Sequence, residues 1–134
     1  MRWLAAAVAV GLVASVSAVA LALSTDTAQI QNSDFTTDTL DAPTSLAATG
    51  GLTISLTWTA TSDTYAAGHR VYRATSSGGS YSQIAQLTPR TTVTHIDNPG
   101  IGTWFYVTKA YVQNWESASS NEVSCTRTIL TYSC

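Results

Sequence analysis

The 134-residue sequence is poor in charged residues, with six Lys or Arg, eight Asp or Glu, and a formal net charge of −2. After residue 23 the balance is five basic against eight acidic residues, a net charge of −3. Proteins that bind nucleic acids usually carry a basic patch on one face. The composition therefore gives no reason to expect a nucleic acid as a partner.

Cysteine and histidine are also scarce, with two residues of each type, Cys125, Cys134, His69 and His95. A structural zinc site needs about four ligands, and these four lie in no such pattern, so we expect neither a metal site nor a cofactor. A lone cysteine pair in an exported chain predicts a disulfide between Cys125 and Cys134. Two unpaired thiols near a frayed end are the alternative.

Catalytic motifs are missing as well. The sequence contains no Gly-x-Ser-x-Gly, no Gly-rich phosphate loop and no His-Glu-x-x-His. His69 and His95 fall in predicted strands far apart in sequence, and we interpret them as strand residues rather than as catalytic bases. We therefore predict no catalytic residues and a non-enzymatic protein.

The sequence does contain one long apolar run at its start. Arg2 precedes 20 uncharged, mostly apolar residues, Leu4 to Leu23, and small residues recur at the spacing of a cleavage site, as in Ala18-Val19-Ala20. This layout predicts a signal peptide over residues 1–23. An uncleaved membrane anchor is the alternative, because 20 apolar residues can just span a bilayer.

Both interpretations of residues 1–23 send the remainder of the chain outward, because the positive end stays in the cytoplasm. We therefore expect a protein that is secreted or lies on the extracellular face of the cell membrane, with membrane contact only through residues 1–23 if they are uncleaved. A buried core helix is the third interpretation. It is disfavoured because no later segment has a helical apolar face to pack against it.

Residues 24–41 form a polar stretch rich in Thr and Asp, from Ser24-Thr25-Asp26 to Phe35-Thr36-Thr37-Asp38-Thr39-Leu40-Asp41. This stretch resembles the mature start of exported proteins processed by the SipW-type signal peptidase, the camelysin and biofilm-fibre group. Asp38 stands where that group has a glycine. The resemblance implies a fibre subunit, whereas the alternative is a plain polar linker.

Strand signals separated by turn signals follow from Ala42 onward. The clearest is a strict alternation that places Leu52, Ile54, Leu56 and Trp58 on one face of a strand. Seven short strands are predicted: 43–48, 52–58, 69–73, 81–87, 91–96, 104–110 and 121–128. Seven short strands at this spacing are typical of an immunoglobulin-like sandwich.

The order of these signals resembles a bacterial fibronectin type III domain over residues 42–128, followed by a tail at 129–134. The matching residues are Pro43 with Leu46, Leu56-Thr57-Trp58, Val71-Tyr72-Arg73, Asp97, Gly102-Thr103-Trp104-x-Tyr106-x-Thr108-x-Ala110 and the hairpin Asn114 to Asn121. The resemblance implies an all-β, seven-stranded sandwich. Its expected core is Leu46, Ile54, Leu56, Trp58, Val71, Trp104, Tyr106 and Ala110.

Two residues of the sixth predicted strand depart from the family pattern. Trp104 occupies the position of a tyrosine whose hydroxyl ties the strand to a nearby backbone corner, and an indole can donate a hydrogen bond but not accept one. We expect Trp104 to be mostly buried and the corner to be altered. Thr108 replaces an apolar residue, which leaves the register of this strand open.

Aromatic residues in loops supply the one binding hypothesis. Tyr65, Tyr111 and Trp115 flank predicted loops, and exposed flat rings can stack on sugars or anchor a protein interface. The alternative is that Trp115 packs over the end of the sandwich.

Fibronectin type III domains are mostly spacers or binding modules, and a fold alone gives weak functional information. We expect an exported cell-surface or secreted interaction or adhesion module, whose partner is a protein or a cell-envelope glycan. The alternatives are a self-assembling structural subunit of an extracellular fibre or biofilm matrix, and a carbohydrate-binding accessory domain.

Overall fold

A computed structural model describes residues 39–134 of the chain. The signal peptide or anchor predicted for residues 1–23, and most of the polar stretch 24–41, lie outside the described residues. Within the described part, no helix has the length and apolar character needed to cross a bilayer.

Residues 39–134 form two antiparallel sheets that pack as a sandwich, which confirms the predicted all-β fold. One sheet has the order β1-β2-β5, and the other has the order β4-β3-β6-β8-β9, with β7 also paired to β6. Two very short strands, β7 and β9, were not predicted. The strands are β1 (Thr44–Thr49), β2 (Ile54–Thr59), β3 (Gly68–Ala74), β4 (Ser82–Leu87), β5 (Thr94–Asp97), β6 (Gly102–Val112), β7 (Trp115–Glu116), β8 (Val123–Arg127) and β9 (Tyr132–Ser133).

Alternation along β2 works as the sequence pattern predicts for Ile54, Leu56 and Trp58, which are all buried. The prediction was wrong for Leu52, whose side chain is 83% exposed. The reason is that β2 begins only at Ile54, while residues 51–53 form a bend in which strand alternation does not hold.

The main core lies between the two sheets and is formed by side chains from both of them. It comprises Leu46, Ile54, Leu56, Trp58, Val71, Tyr106, Cys125 and Tyr132. Trp104, expected to be mostly buried, is only partly buried and packs against the margin of this core. Ala110 belongs instead to a second, smaller cluster with Leu40 and Ala66. We predicted that the domain begins at residue 42. Because Leu40 is buried in this cluster, the domain begins before that residue.

Residues 129–134, predicted as a tail, are part of the sandwich. Tyr132 lies in β9, which pairs with β8, and its side chain is 5% exposed within the main core. The predicted disulfide is confirmed, with the sulfur atoms of Cys125 and Cys134 bonded at 2.04 Å. The covalent bond and the β8–β9 pairing together keep this segment on the domain.

Thr108 lies inward on β6 without disturbing its register. Along β3 and β6 the pairs run without a shift, Thr108 facing Val71 and Lys109 facing Arg70. The side chain of Thr108 is completely buried. The register that the sequence left open is therefore regular.

Candidate functional site

The β6–β7 hairpin is a tight connection in which Val112 pairs with Trp115 across Gln113 and Asn114. Gln113 has a φ of 52°, a left-handed conformation that side chains other than glycine rarely adopt. The carbonyl of Gln113 accepts a hydrogen bond from Nη2 of Arg70 at 3.2 Å. This contact stabilises the unusual turn and so fixes the position of Trp115.

Trp115 is 67% exposed. Side chains alternate along a strand, so Trp115 lies on the face of the hairpin shared with Val112, opposite to Glu116. Val112 packs against the cluster formed by Leu40, Ala66 and Ala110. Two thirds of the Trp115 side chain is nevertheless open to solvent, so packing over the sandwich end does not account for it.

Tyr65, in the loop before β3, is 47% exposed. The N–H of Ala67, two residues later, donates to the carbonyl of Tyr111 at 2.8 Å, which holds this loop against the end of β6. Tyr65 and Trp115 therefore belong to the same end of the sandwich. We call this end, defined by these two side chains, the aromatic pole.

Tyr111 does not belong to the aromatic pole, and the sequence-based assignment of it as a ligand contact is corrected. Its side chain is 4% exposed, because the guanidinium of Arg70 lies 4.5 Å above the ring. Tyr111 also faces Gly68, where a Cβ would come within 3.1 Å of the ring. The ring is thus covered from above and fills the space that glycine leaves.

Glu116 organises a charged network on the opposite face of the hairpin. One carboxylate oxygen accepts from Nη1 of Arg70 at 2.7 Å and from the hydroxyl of Tyr72, and the other lies 3.4 Å from Nζ of Lys109. The Lys109 ammonium also lies 5.2 Å from the centre of the Tyr72 ring. These contacts tie β7 to both β3 and β6.

Electrostatics favour the charged form of Glu116. Partial burial raises the pKa of this carboxyl, but the hydrogen bonds from Tyr72 and Arg70 and the charge of Lys109 outweigh burial, so its pKa lies below the ordinary value. Burial and the same contact with Glu116 raise the pKa of Tyr72. The network is therefore charged and intact at neutral pH.

Two serines after the hairpin complete the support of β6. The hydroxyl of Ser117 accepts from the N–H of Ala110 at 2.9 Å, and that of Ser120 accepts from the N–H of Thr108 at 3.0 Å. The N–H groups of the same serines donate to the carbonyls of Ala110 and Thr108. Each serine thus forms with β6 the pair of hydrogen bonds that a neighbouring strand would form. It does so where β6 has no partner in β8, which begins only at Val123.

The sequence interpretation did not identify Arg70, Tyr72, Lys109 and Glu116 as parts of the site. Arg70 and Tyr72 alternate with buried residues along β3, which is a local signal for a common outer face. Their convergence on Glu116, 46 residues from Arg70, depends on the pairing of β3, β6 and β7. That pairing has no local sequence signature.

The histidines are not brought together with these groups. His69 is fully buried, with its ring edge-on to Trp58 at a centroid distance of 5.7 Å. His95 lies on β5, where it pairs with Leu56 of β2. Within residues 39–134 no group of three or more His, Cys, Asp or Glu is arranged to hold a metal ion.

A shallow groove of about 500 Å³ lies at the edge of β1 and β2. The side chains of Asp41 and Ser62 hydrogen-bond at 2.8 Å along this groove, and the N–H of Asp41 donates to Asp63. These bonds anchor the beginning of the domain. They occupy one carboxylate oxygen of Asp41 and the hydroxyl of Ser62 in internal contacts.

Comparison with known proteins gives a likeness to a solved structure. No protein-family model matches the chain, and no curated protein matches it. A solved structure described as "a Fn3-like protein from Clostridium thermocellum" matches with 32% identity and a TM-score of 0.55, over 65% of this chain and 92% of that one. Together with the two-sheet topology, this identity over nearly the whole length of the solved domain shows that the chain belongs to the Fn3-like family.

Proposed function

We propose that this chain is an exported, non-enzymatic interaction module that contacts its partner through the aromatic pole. The observation that carries the proposal is the 67% exposure of Trp115 on a hairpin that Arg70 holds in place through hydrogen bonds to Gln113 and Glu116. Exposed tryptophan and tyrosine side chains dominate the energy of many binding surfaces. A hairpin that is already ordered loses little conformational entropy when it binds.

Export is supported by the Cys125–Cys134 disulfide, because disulfides persist mainly in oxidising compartments outside the cytoplasm. It is also supported by the apolar run that precedes the polar stretch 24–41. The Fn3-like fold is compatible with a binding role. The lack of a catalytic motif in the sequence also favours a binding role over a catalytic one.

A cell-envelope glycan is the partner that the aromatic pole favours. Trp115 and Tyr65 are flat side chains, 67% and 47% exposed, at the same end of the domain, and such rings stack on the apolar faces of sugars. A protein partner of the envelope is the second candidate. It is favoured by the rigid position of Trp115, which suits an anchor residue.

The test uses the full-length chain against a panel of envelope polysaccharides and, in parallel, against solubilised envelope proteins. We expect Trp115→Ala to lose at least ten-fold in affinity for the partner. Ile96→Ala is the matched control, because Ile96 is exposed to almost the same extent, 66%, but lies on β5 in the other sheet. Equal binding by Trp115→Ala and the wild type on both panels would rule out the aromatic pole as the contact surface.

A further inference from the structure

Exposed aliphatic side chains collect at the end of the sandwich opposite to the aromatic pole. Leu52 is 83% exposed, Ile101 70%, Ile129 82% and Leu130 80%. They lie in three different loops, β1–β2, β5–β6 and β8–β9. We call the surface formed by these four residues the aliphatic pole.

Hydrogen bonds made by Tyr132 show that the three loops meet. The N–H of Tyr132 donates to the carbonyl of Gly51 at 2.9 Å, which joins β9 to the β1–β2 loop. Its hydroxyl donates to the carbonyl of Pro99 at 2.5 Å, which joins β9 to the β5–β6 loop. A Cβ on Gly50 would lie 2.2 Å from the Tyr132 carbonyl oxygen, so the loops are packed backbone against backbone.

The β8–β9 part of the aliphatic pole is held in place by a covalent bond and a hydrogen bond. The Cys125–Cys134 bond closes the β8–β9 hairpin from which Ile129 and Leu130 project. Within the turn, the N–H of Thr128 donates to the carbonyl of Thr131 at 3.1 Å. The exposed side chains are thus held at defined positions rather than on a frayed chain end.

Charge is absent from the loops of the aliphatic pole. Residues 49–53, 98–101 and 128–131 contain no Asp, Glu, Lys or Arg. Arg127, at the end of β8, is directed inward, where Nη1 donates to the carbonyl of Pro99 and to the hydroxyl of Tyr132. The side chains of residues 39–134 include five acidic and five basic groups, whose charges balance at pH 7, while residues 24–38 add three acidic groups.

We infer that the aliphatic pole is a contact between two copies of this chain. An uncharged aliphatic surface suits a second identical surface, because neither copy brings a charge that must be paired or desolvated. The small net charge of the chain, −2, also keeps the long-range repulsion between copies weak. The contact would be isologous, with each aliphatic pole facing the other across a two-fold axis.

The exposed area limits how much apolar surface this dimer can bury. A Leu or Ile side chain presents roughly 100 Å² of apolar surface, so the four side chains supply about 300 Å² per copy. Stable interfaces bury about 800 Å² per partner, of which somewhat more than half is apolar. The aliphatic pole therefore supports a weak dimer that forms at high local concentration, and it leaves the aromatic poles at the two outer ends.

This inference does not depend on the proposed function, because the two poles are at opposite ends of the domain. The test is sedimentation velocity of the full-length chain from about 5 to 500 μM. We expect the wild type to pass from monomer to dimer within this range, with little change between low and high salt. Charged contacts, in contrast, weaken with salt.

The test variant is Ile129→Ser with Leu130→Ser, which removes two side chains that are at least 80% exposed and so leaves the core untouched. We expect its dimer dissociation constant to rise ten-fold or more. Leu130→Glu should do the same, because the two-fold axis places two carboxylates close together. Trp115→Ser is the matched control at the opposite pole and should dimerise as the wild type does.

Two results would overturn the inference. One is a wild-type chain that remains monomeric up to 500 μM. The other is a dimer that persists unchanged in both Leu130→Glu and the double serine variant, since its contact must then lie elsewhere. Chemical shifts that change with concentration at residues 51–52 and 128–131 would locate the contact directly and support the inference.

Discussion

The indole N–H of Trp104 donates a hydrogen bond to the carbonyl of Gly100 at 2.8 Å. The bond spans four residues and ties the start of β6 back to the β5–β6 loop, which is the task that a tyrosine hydroxyl performs in related sandwiches. The guanidinium of Arg73 lies over the indole ring, 4.6 Å from its centre. The sequence predicted an altered corner at this position. The structure shows that the indole N–H of Trp104 takes the place of the tyrosine hydroxyl as the donor.

Trp104→Phe removes this donor while it keeps an aromatic ring. We expect the free energy of unfolding to fall by about 1 kcal/mol, the usual net contribution of one hydrogen bond, as measured by urea denaturation. Trp115→Phe is the control and should leave stability unchanged, because Trp115 is 67% exposed. A Trp104→Phe protein as stable as the wild type would show that the bond contributes nothing.

Breaking the disulfide tests how much the last ten residues depend on it. In Cys134→Ser the buried Cys125 side chain remains in place, so no core cavity forms. We expect a loss of about 2–3 kcal/mol on the loop-entropy estimate, together with faster hydrogen exchange at the amide of Tyr132. Ser133→Ala, next to the bond, should have neither effect. Unchanged exchange at Tyr132 in Cys134→Ser would show that β8–β9 pairing alone holds the segment.

His69 makes the stability of the domain depend on pH. Its Nε2 faces the N–H of Thr61 at 3.4 Å and therefore accepts, so Nδ1 carries the proton and donates to the carbonyl of Thr92 at 3.2 Å. Burial lowers the pKa of His69 below its ordinary value of 6.5, and the charge of Arg90 lowers it further, although the Thr92 hydrogen bond partly opposes this shift.

The unfolded chain therefore binds a proton at His69 before the folded chain does. The contribution of neutral His69 to the free energy of unfolding is fully present above pH 6.5. It is lost as the pH drops from 6.5 towards the folded-state pKa. Burial shifts the pKa of His95 in the same direction. We expect the Cε1–H resonances of both histidines to titrate with midpoints below 6.5. The His95→Gln protein should still lose stability in acid, because His69 remains. A midpoint for His69 at or above 6.5 would contradict this assignment.

Thr108 offers a stabilising substitution. Among the described residues its buried Oγ1 has no hydrogen-bond partner, and an unsatisfied buried hydroxyl costs about 1–3 kcal/mol. Thr108→Val should therefore raise the free energy of unfolding by roughly 1 kcal/mol, as measured by chemical denaturation. Thr57→Val on the exposed face of β2 is the control and should change it by less than about 0.5 kcal/mol. A less stable Thr108→Val protein would mean that the hydroxyl is satisfied in solution.

The sequence by itself determined the class of fold and most of its strands. Ile54, Leu56 and Trp58 alternate with polar residues, and such a period is readable without tertiary information because it reflects which side of a single strand is buried. The order of turns and strand residues then led to the correct family. With only two cysteines the sequence allows a single intramolecular pair, Cys125 with Cys134, but it left open whether the two are bonded.

The tertiary structure alone decided which side chains meet. Tyr111 is covered because β3 and β6 are in a register that brings Arg70 over its ring, and Glu116 gathers its partners through the same pairing. Tyr132 enters the core, and its N–H reaches the carbonyl of Gly51, only because loops that are distant in sequence touch at one end of the sandwich. The alternation of apolar and polar residues indicates which face of a single strand is buried. Both poles depend on contacts between different strands and loops, which that alternation does not predict.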